Sequence, residues 1–184
     1  MNSHSILELM RKHQIPIDKP LSSLEIESIE RRYKIVFPPD LKDLYLCGLP
    51  VGEGYPNWRD TSEENIKLII SKLEWPLHGM LFDIEHNSYW YDGWGIRPSK
   101  LEAAFQVCKE KFKEVPILIP IYSHRFIPSK PNEINNPIFS IYQTDIIYYG
   151  ENLEEYFKVE LRSKRHNEIK FNDIKEIEFW SELL

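Results

Sequence analysis

Apolar positions along the chain change period several times, and each change marks an element. Ile6, Leu9, Met10 and His13 recur at helical spacing, which predicts a short amphipathic helix over residues 5–13. Gln14 to Pro20 carries two prolines and reads as a connector. Ser22 and Glu25 have the spacing of a capping box, in which the serine oxygen accepts an early helix N–H and the glutamate reaches back. Behind it, Ile26, Ile29 and Tyr33 form the apolar stripe of a helix ending near Lys34. Ile35, Val36 and Phe37 read as a short extended piece. Pro38-Pro39-Asp40 then opens a second helix, since the first helical N–H groups lack intrahelical partners anyway. Leu41, Leu44 and Tyr45 are its inner face, and Gly48 and Pro50 end it.

Residues 49–61 are loop-like, and a helix from Ser62 to Leu73 follows with Ile66, Ile69, Ile70 and Leu73 as its stripe. Met80 to Ile84 reads as a strand, and residues 87–95 as an aromatic stretch with turn residues. Ser99 and Glu102 form a second capping box ahead of Leu101, Phe105, Cys108 and Phe112. Strands are expected at 117–121, 138–142 and 145–149, the last two joined as a hairpin across Gln143-Thr144. Asn152 and Glu155 cap a further short helix. The tail reads as helical, with Ile174, Ile177 and Trp180 on one side. Helices and strands interleave without regular βα repetition, so the pattern indicates an α+β fold. There is no internal repeat and no low-complexity segment.

Composition narrows the function. The 184 residues suit one domain with short extensions, and at 42% hydrophobic and 13% aromatic the chain is too apolar for intrinsic disorder. Twenty-three Lys and Arg against 29 Asp and Glu leave a net charge of −6, which speaks against phosphate-backbone binding and for basic partners. Only seven glycines occur, and Gly52-x-Gly54 and Gly93-x-Gly95 run into Asn57 and Pro98, so neither completes a phosphate loop. Met1 to Glu8 lacks the basic start of a secretory leader, and the apolar run Val115 to Tyr122 is broken by Pro116 and Pro120. A cytoplasmic protein with no membrane segment is expected. Cys47 and Cys108 then read as free, buried thiols.

Candidate chemistry is sparse. On a strand, Asp83 and Glu85 would share a face while His86 points away, so at most two metal ligands or a carboxylate pair converge. The other reading is a solvated strand face. Cys108 with His124, or Ser123 with His124, can be written as a dyad. Neither has a G-x-S-x-G elbow or a cysteine-protease signature around it, and His124-Arg125 also suits packing. Tyr89, Trp90, Tyr91 and Trp94, with Trp58 upstream, suit a protein-binding hot spot or ordinary core, the latter favoured for Trp90 and Trp94. Only Arg97 and Lys100 flank them, too few cations for stacking on single-stranded nucleic acid. Acids at 151–155 suit a helix start.

Three stretches together resemble the SUKH superfamily, the group of fungal cell-wall-synthesis (Smi/Knr-type) regulators and many bacterial immunity proteins. The first runs from Leu24 through Tyr33, Ile35 and Phe37-Pro38-Pro39-Asp40-Leu41 to Tyr45. The second is Leu81 to Asn87 with Trp90 and Trp94-Gly95-Ile96-Arg97-Pro98. The third runs from Pro120-Ile121-Tyr122-Ser123-His124-Arg125-Phe126 through Asn136-Pro137-Ile138-Phe139-Ser140 to Tyr149-Gly150. Cys47-Gly48-Leu49-Pro50 departs from the glycine pair that many members carry after the second helix.

The resemblance implies a mainly antiparallel β-sheet flanked by helices over residues 21–160; residues 1–20 and 161–184 lie outside it and read as helical extensions. It also implies protein binding rather than catalysis, with no cofactor, metal or catalytic residue. The partner it implies is a polymorphic toxin domain, basic nucleases included, neutralised by occlusion. The alternatives are a regulatory scaffold, or a metal or acid–base enzyme centred on Asp83, Glu85 and His86. Partner contacts are expected from Glu53, Trp58, Asp60, Glu85, Asp92, His124 and Arg125. The charge has functional meaning only if the acids near 53–60 and 83–92 cluster on one face.

Overall fold

The computed structural model describes residues 3–184; Met1 and Asn2, the start of the N-terminal extension and of the stretch read as lacking a leader, lie outside the described residues. Six α-helices and two antiparallel sheets make an α+β fold: α1 (Ser3–Lys12), β1 (Ile17–Asp18), α2 (Ser23–Tyr33), α3 (Pro39–Cys47), β2 (Leu49–Pro50), α4 (Glu63–His86), α5 (Leu101–Phe112), β3 (Leu118–Tyr122), β4 (Arg125–Pro128), β5 (Ile138–Tyr142), β6 (Asp145–Gly150) and α6 (Leu153–Glu160). The larger sheet is a meander in the order β3-β4-β5-β6, and β1 pairs with β2 through Ile17↔Pro50 and Asp18↔Leu49.

Local chemistry accounts for most helix starts. Ser22 and Glu25 form the reciprocal box expected of them, Glu25 N–H donating to the serine oxygen at 3.2 Å and Ser22 N–H to the glutamate at 2.8 Å. Asn152 caps α6 through Glu155 N–H, and Pro39 sits where α3 needs no donor. No such box starts α5. Its N-cap is Lys100, without a side-chain bond, so Ser99 lies one residue too early to use Glu102.

Both faces of the meander are covered, because successive residues of its strands alternate between two cores. Ile119, Ile121, Ile127 and Ile138 join α1, α2, α3 and α6 in one core, where Ile6, Leu7, Met10, Ile26, Leu41, Leu44 and Phe157 are buried. Leu118, Phe126, Phe139, Ile141 and Ile146 face the other, packed on Met80 and Ile84 of α4, Ala104 and Cys108 of α5, and Ile177, Phe179 and Trp180 of the tail. The two chain ends therefore each feed a core.

Further expectations need correction. Met80–Ile84 is not a strand but the second half of α4, 24 residues long, which runs straight through Pro76. Proline removes the N–H that would bond the Lys72 carbonyl, yet Pro76, Met80, Asp83 and Ile84 are buried at helical spacing, and that continuous inner face carries the helix onward. Ile70, placed on the inner stripe, stands outside instead. The tail is not α-helical either. It forms single 3₁₀ turns at His166–Glu168, Phe171–Asp173 and Trp180–Leu183, the last fixed by Trp180 Nε1 donating to the Pro116 carbonyl at 2.7 Å and by the Tyr148 hydroxyl donating to Ser181 Oγ at 2.7 Å. Strand β4, not expected, fills the gap between β3 and β5. The Ile35–Phe37 piece joins no ladder; Phe37 N–H donates instead to the Glu30 carboxylate at 3.0 Å.

Candidate functional site

Two adjoining hollows flank the loop at 51–55 and the β3–β4 turn at Ser123-His124. One, of about 340 Å³, is walled by His13, Pro16, Val51, Tyr55, Tyr122 and Glu160. The other is a groove of about 430 Å³ between α4 and the sheet, formed by Leu68, Lys72 and Trp75 on the helix, Phe126 on β4, Tyr142 at the end of β5, and Ser123-His124. Glu53 borders both. Gly54, with φ +87°, takes a conformation that side-chain-bearing residues rarely adopt, and it lies so close to the Tyr122 ring that a Cβ would come within 2.6 Å.

Leu68, Lys72, Trp75 and Phe82 follow one another at intervals of four, three and seven residues, so they form a stripe along the outer face of α4. Trp75 is 44% exposed and Tyr142 61%, and with Leu68 and Phe82 they stand in solvent. Phe82 also meets the His86 ring at 4.5 Å, the two planes tilted by 50°. This face escaped the sequence reading, which ended the helix before Trp75; the i, i+3, i+4, i+7 spacing carried across Pro76 was the pattern that could have shown it.

The residues expected to contact a partner separate. Trp58 is a correction: it is 1% exposed, its Nε1 donates to the Tyr45 hydroxyl at 3.1 Å, and Tyr33 and Phe37 meet it edge-on at 5.8 and 5.2 Å. A tryptophan so enclosed belongs to the core. Arg125 is largely enclosed too. Its guanidinium lies 3.8 Å above the Tyr149 ring, donates to Ser140 Oγ at 2.9 Å and faces Glu160 at 3.2 Å, so it ties β4 to β5, β6 and α6. Glu53 and His124 line the same groove. Asp60 is exposed at the entrance to α4, accepting from Ser62 N–H at 2.8 Å. Glu85 is exposed beside His86, and Asp92 stands in a 3₁₀ turn at Asp92–Trp94.

The acids therefore do not gather. Asp60 precedes the first residue of α4 and Glu85 sits at its far end, some 22 residues later, about 33 Å along the axis at 1.5 Å per residue. Trp90 and Trp94 are half-buried, meeting each other at 5.3 Å, with Trp94 stacked on Phe179 at 6.0 Å.

The carboxylate chemistry changes with the helix. Asp83 and Glu85 are separated by about 200° around α4 instead of sharing a face. Asp83 is buried, with one oxygen accepting from Asn87 at 2.5 Å and the other from Thr144 N–H and Oγ1 at 2.8 and 2.6 Å. Its accepting capacity is spent on structure. Among the described residues no three His, Cys, Asp or Glu side chains converge in a metal site. Ser123 Oγ lies 3.1 Å from His124 Nδ1, within one tight turn, and among the described residues no carboxylate pairs with that ring to orient it. Desolvation, and then Arg125, hold the His124 pKa below its ordinary value. Cys108 lies inside the second core, where burial pushes its thiol up to about 12. No described helix is long and apolar enough to cross a membrane. Comparison with family models, curated proteins and solved structures finds no match.

Proposed function

We propose that the protein is a non-catalytic protein-binding module, an immunity protein that occludes a toxin domain, and that it engages its partner through the outer face of α4 and the tip of the β5–β6 hairpin. The observation that carries this reading is the exposed, contiguous set Leu68, Trp75 and Tyr142 around one groove. Tryptophan and tyrosine held in solvent on rigid elements supply large contact area for few frozen rotors, the usual make-up of an interface hot spot. The SUKH resemblance supplies the partner class, and the net charge of −6 favours encounter with a basic one.

The test is co-expression with the product of the neighbouring gene, followed by size-exclusion chromatography and calorimetry. A one-to-one complex is expected. Trp75→Ser should weaken it by about 30-fold or more, the effect of losing a hot-spot side chain. A partner bound equally by Trp75→Ser, or a co-encoded toxin left unbound and active, overturns the reading.

A further inference from the structure

The groove beside α4 holds one charge with no partner. Lys72 is half-buried among Leu68, Trp75, Phe126 and Tyr142, and among the described residues no carboxylate pairs with its ammonium and no hydrogen bond engages it. Other lysines of comparable burial are matched: Lys164 binds Glu151 and Glu155 at 2.6 and 2.8 Å, Lys158 binds Glu155 at 2.6 Å, and Lys175 binds Glu133 at 3.0 Å. Burial alone lowers the Lys72 pKa, with no opposing acid. Glu53 lies on the groove wall but is not paired with it.

What fills the groove must answer that charge. An apolar occupant would complete the burial of an ammonium and leave its charge uncompensated, which is strongly unfavourable. A basic occupant would add like-charge repulsion. We infer that the groove receives an acidic side chain of the partner protein, its carboxylate on Lys72 Nζ and a neighbouring aromatic or aliphatic side chain against Leu68, Trp75 and Tyr142. Identifying the occupant as a partner segment rests on the binding-module reading; the groove's chemistry does not. A partner that is basic overall meets this requirement by presenting one acid at this point, and Glu53 at the rim faces the basic residues around it. A charge-assisted pair made in partly apolar surroundings is stronger than one on an open surface.

Blocked dipeptides test the groove without any partner. Acetyl-phenylalanyl-glutamate amide, titrated into the ¹⁵N-labelled full chain, should shift the amide signals of Leu68, Lys72, Trp75 and Tyr142. The glutamine analogue should bind about fivefold more weakly, and the lysine analogue more weakly still. Lys72→Met, which keeps the length and apolar stem of the side chain, should erase the preference for glutamate over glutamine, and Lys72→Arg should keep it. Glutamine binding as well as glutamate, a preference that survives Lys72→Met, or no shift in the groove overturns the inference. Loss of the preference in Lys72→Met together with a partner complex indifferent to Trp75 would leave the groove chemistry standing and remove only the binding-module reading. An intact Trp75-dependent complex with no glutamate preference would do the reverse.

Discussion

The carboxylate of Asp83 on α4 accepts both the amide and the hydroxyl of Thr144, the second residue of the β5–β6 turn, at 2.8 and 2.6 Å. One helical turn earlier, Gly79 lies against the same hairpin: a Cβ there would stand 2.7 Å from Gln143 Cα. Gln143 has φ +57°, an unusual conformation for a residue with a side chain. One face of the helix therefore holds both residues of that turn, and Tyr142 beside them stands at the edge of the groove. The residue that looked like a metal ligand builds the site from behind.

Removing the clamp should cost stability before it affects binding. Asp83→Ala leaves the Thr144 amide and hydroxyl without their acceptor, a loss of about 1–3 kcal/mol. For a domain of this size, that lowers the melting temperature by about 2–4 °C per kcal/mol. Thermal unfolding by circular dichroism reads it directly, and an unchanged melting temperature would show that water satisfies the turn equally well.

Gly79→Ala sets two effects against each other. Alanine gains about 1 kcal/mol of helix propensity, but its methyl meets backbone that cannot swing aside. The contact at 2.7 Å decides the sign, so Gly79→Ala should be less stable than the parent in urea unfolding. A more stable variant would mean that the hairpin gives way.

Trp58 and Trp75 should part company under substitution. Trp58→Ala empties a fully enclosed site and should cost about 3–5 kcal/mol. Trp75→Ser touches an exposed side chain and should stay within about 0.5 kcal/mol of the parent. Denaturant midpoints compare the two, and acrylamide should quench the fluorescence contributed by Trp75 far more than that of Trp58. Equal costs would contradict the burial difference on which the proposed surface rests.

The contrast shows what the sequence could convey. The Ser22–Glu25 box, the Asn152 cap, the proline-started helix and the Gln143-Thr144 hairpin follow from neighbours within four residues, and the structure has them as read, whereas the Ser99–Glu102 box fails because α5 starts one residue later. The α+β class followed from their order. Pro76 hid the continuation of α4, because the burial that overrides a proline comes from a sheet more than 30 residues away in sequence. Trp58 drew attention for its loop position, while its enclosure depends on Tyr33, Phe37 and Tyr45 converging from two helices and the segment between them. Lys72 had no distinguishing neighbour in sequence; its isolation exists only once β4, β5 and α4 surround it.

The loop at 51–61, which follows β2, is anchored by Arg59, which bonds Glu25 at 2.8 Å, Asp18 through a short pair, and the carbonyls of Lys19 and Pro20 at 3.1 and 2.9 Å. The Arg59 guanidinium, with Ser22, holds the Glu25 carboxyl down to about 2 from an ordinary 4.5. A folded-state pKa below the unfolded one means the unfolded chain binds more protons, so the contribution is fully present above about pH 4.5 and is lost as pH falls towards 2. Arg59→Met should flatten the stability profile across that window and leave the slope above pH 5 alone. Because both partners are partly exposed, the change is small and should shrink further in 1 M salt. A profile identical to the parent would show that Ser22 alone holds Glu25 down.

Lys72 gives the same slope with pH, but from a penalty and not a gain. Burial lowers its pKa below the ordinary 10.5, so between the folded and unfolded values the unfolded chain binds more protons and stability rises with pH. Below the folded value the penalty is constant, because both states are charged. Lys72→Met removes that penalty while keeping the stem that packs beside Trp75, and at neutral pH it should raise the urea midpoint modestly, the ammonium being partly hydrated. Repeating the measurement towards pH 10.5 should narrow the gap between variant and parent as the lysine loses its proton. A variant less stable than the parent at pH 7 would mean that the ammonium has a partner in solution, and the groove would then carry no unanswered charge for an acidic side chain to meet.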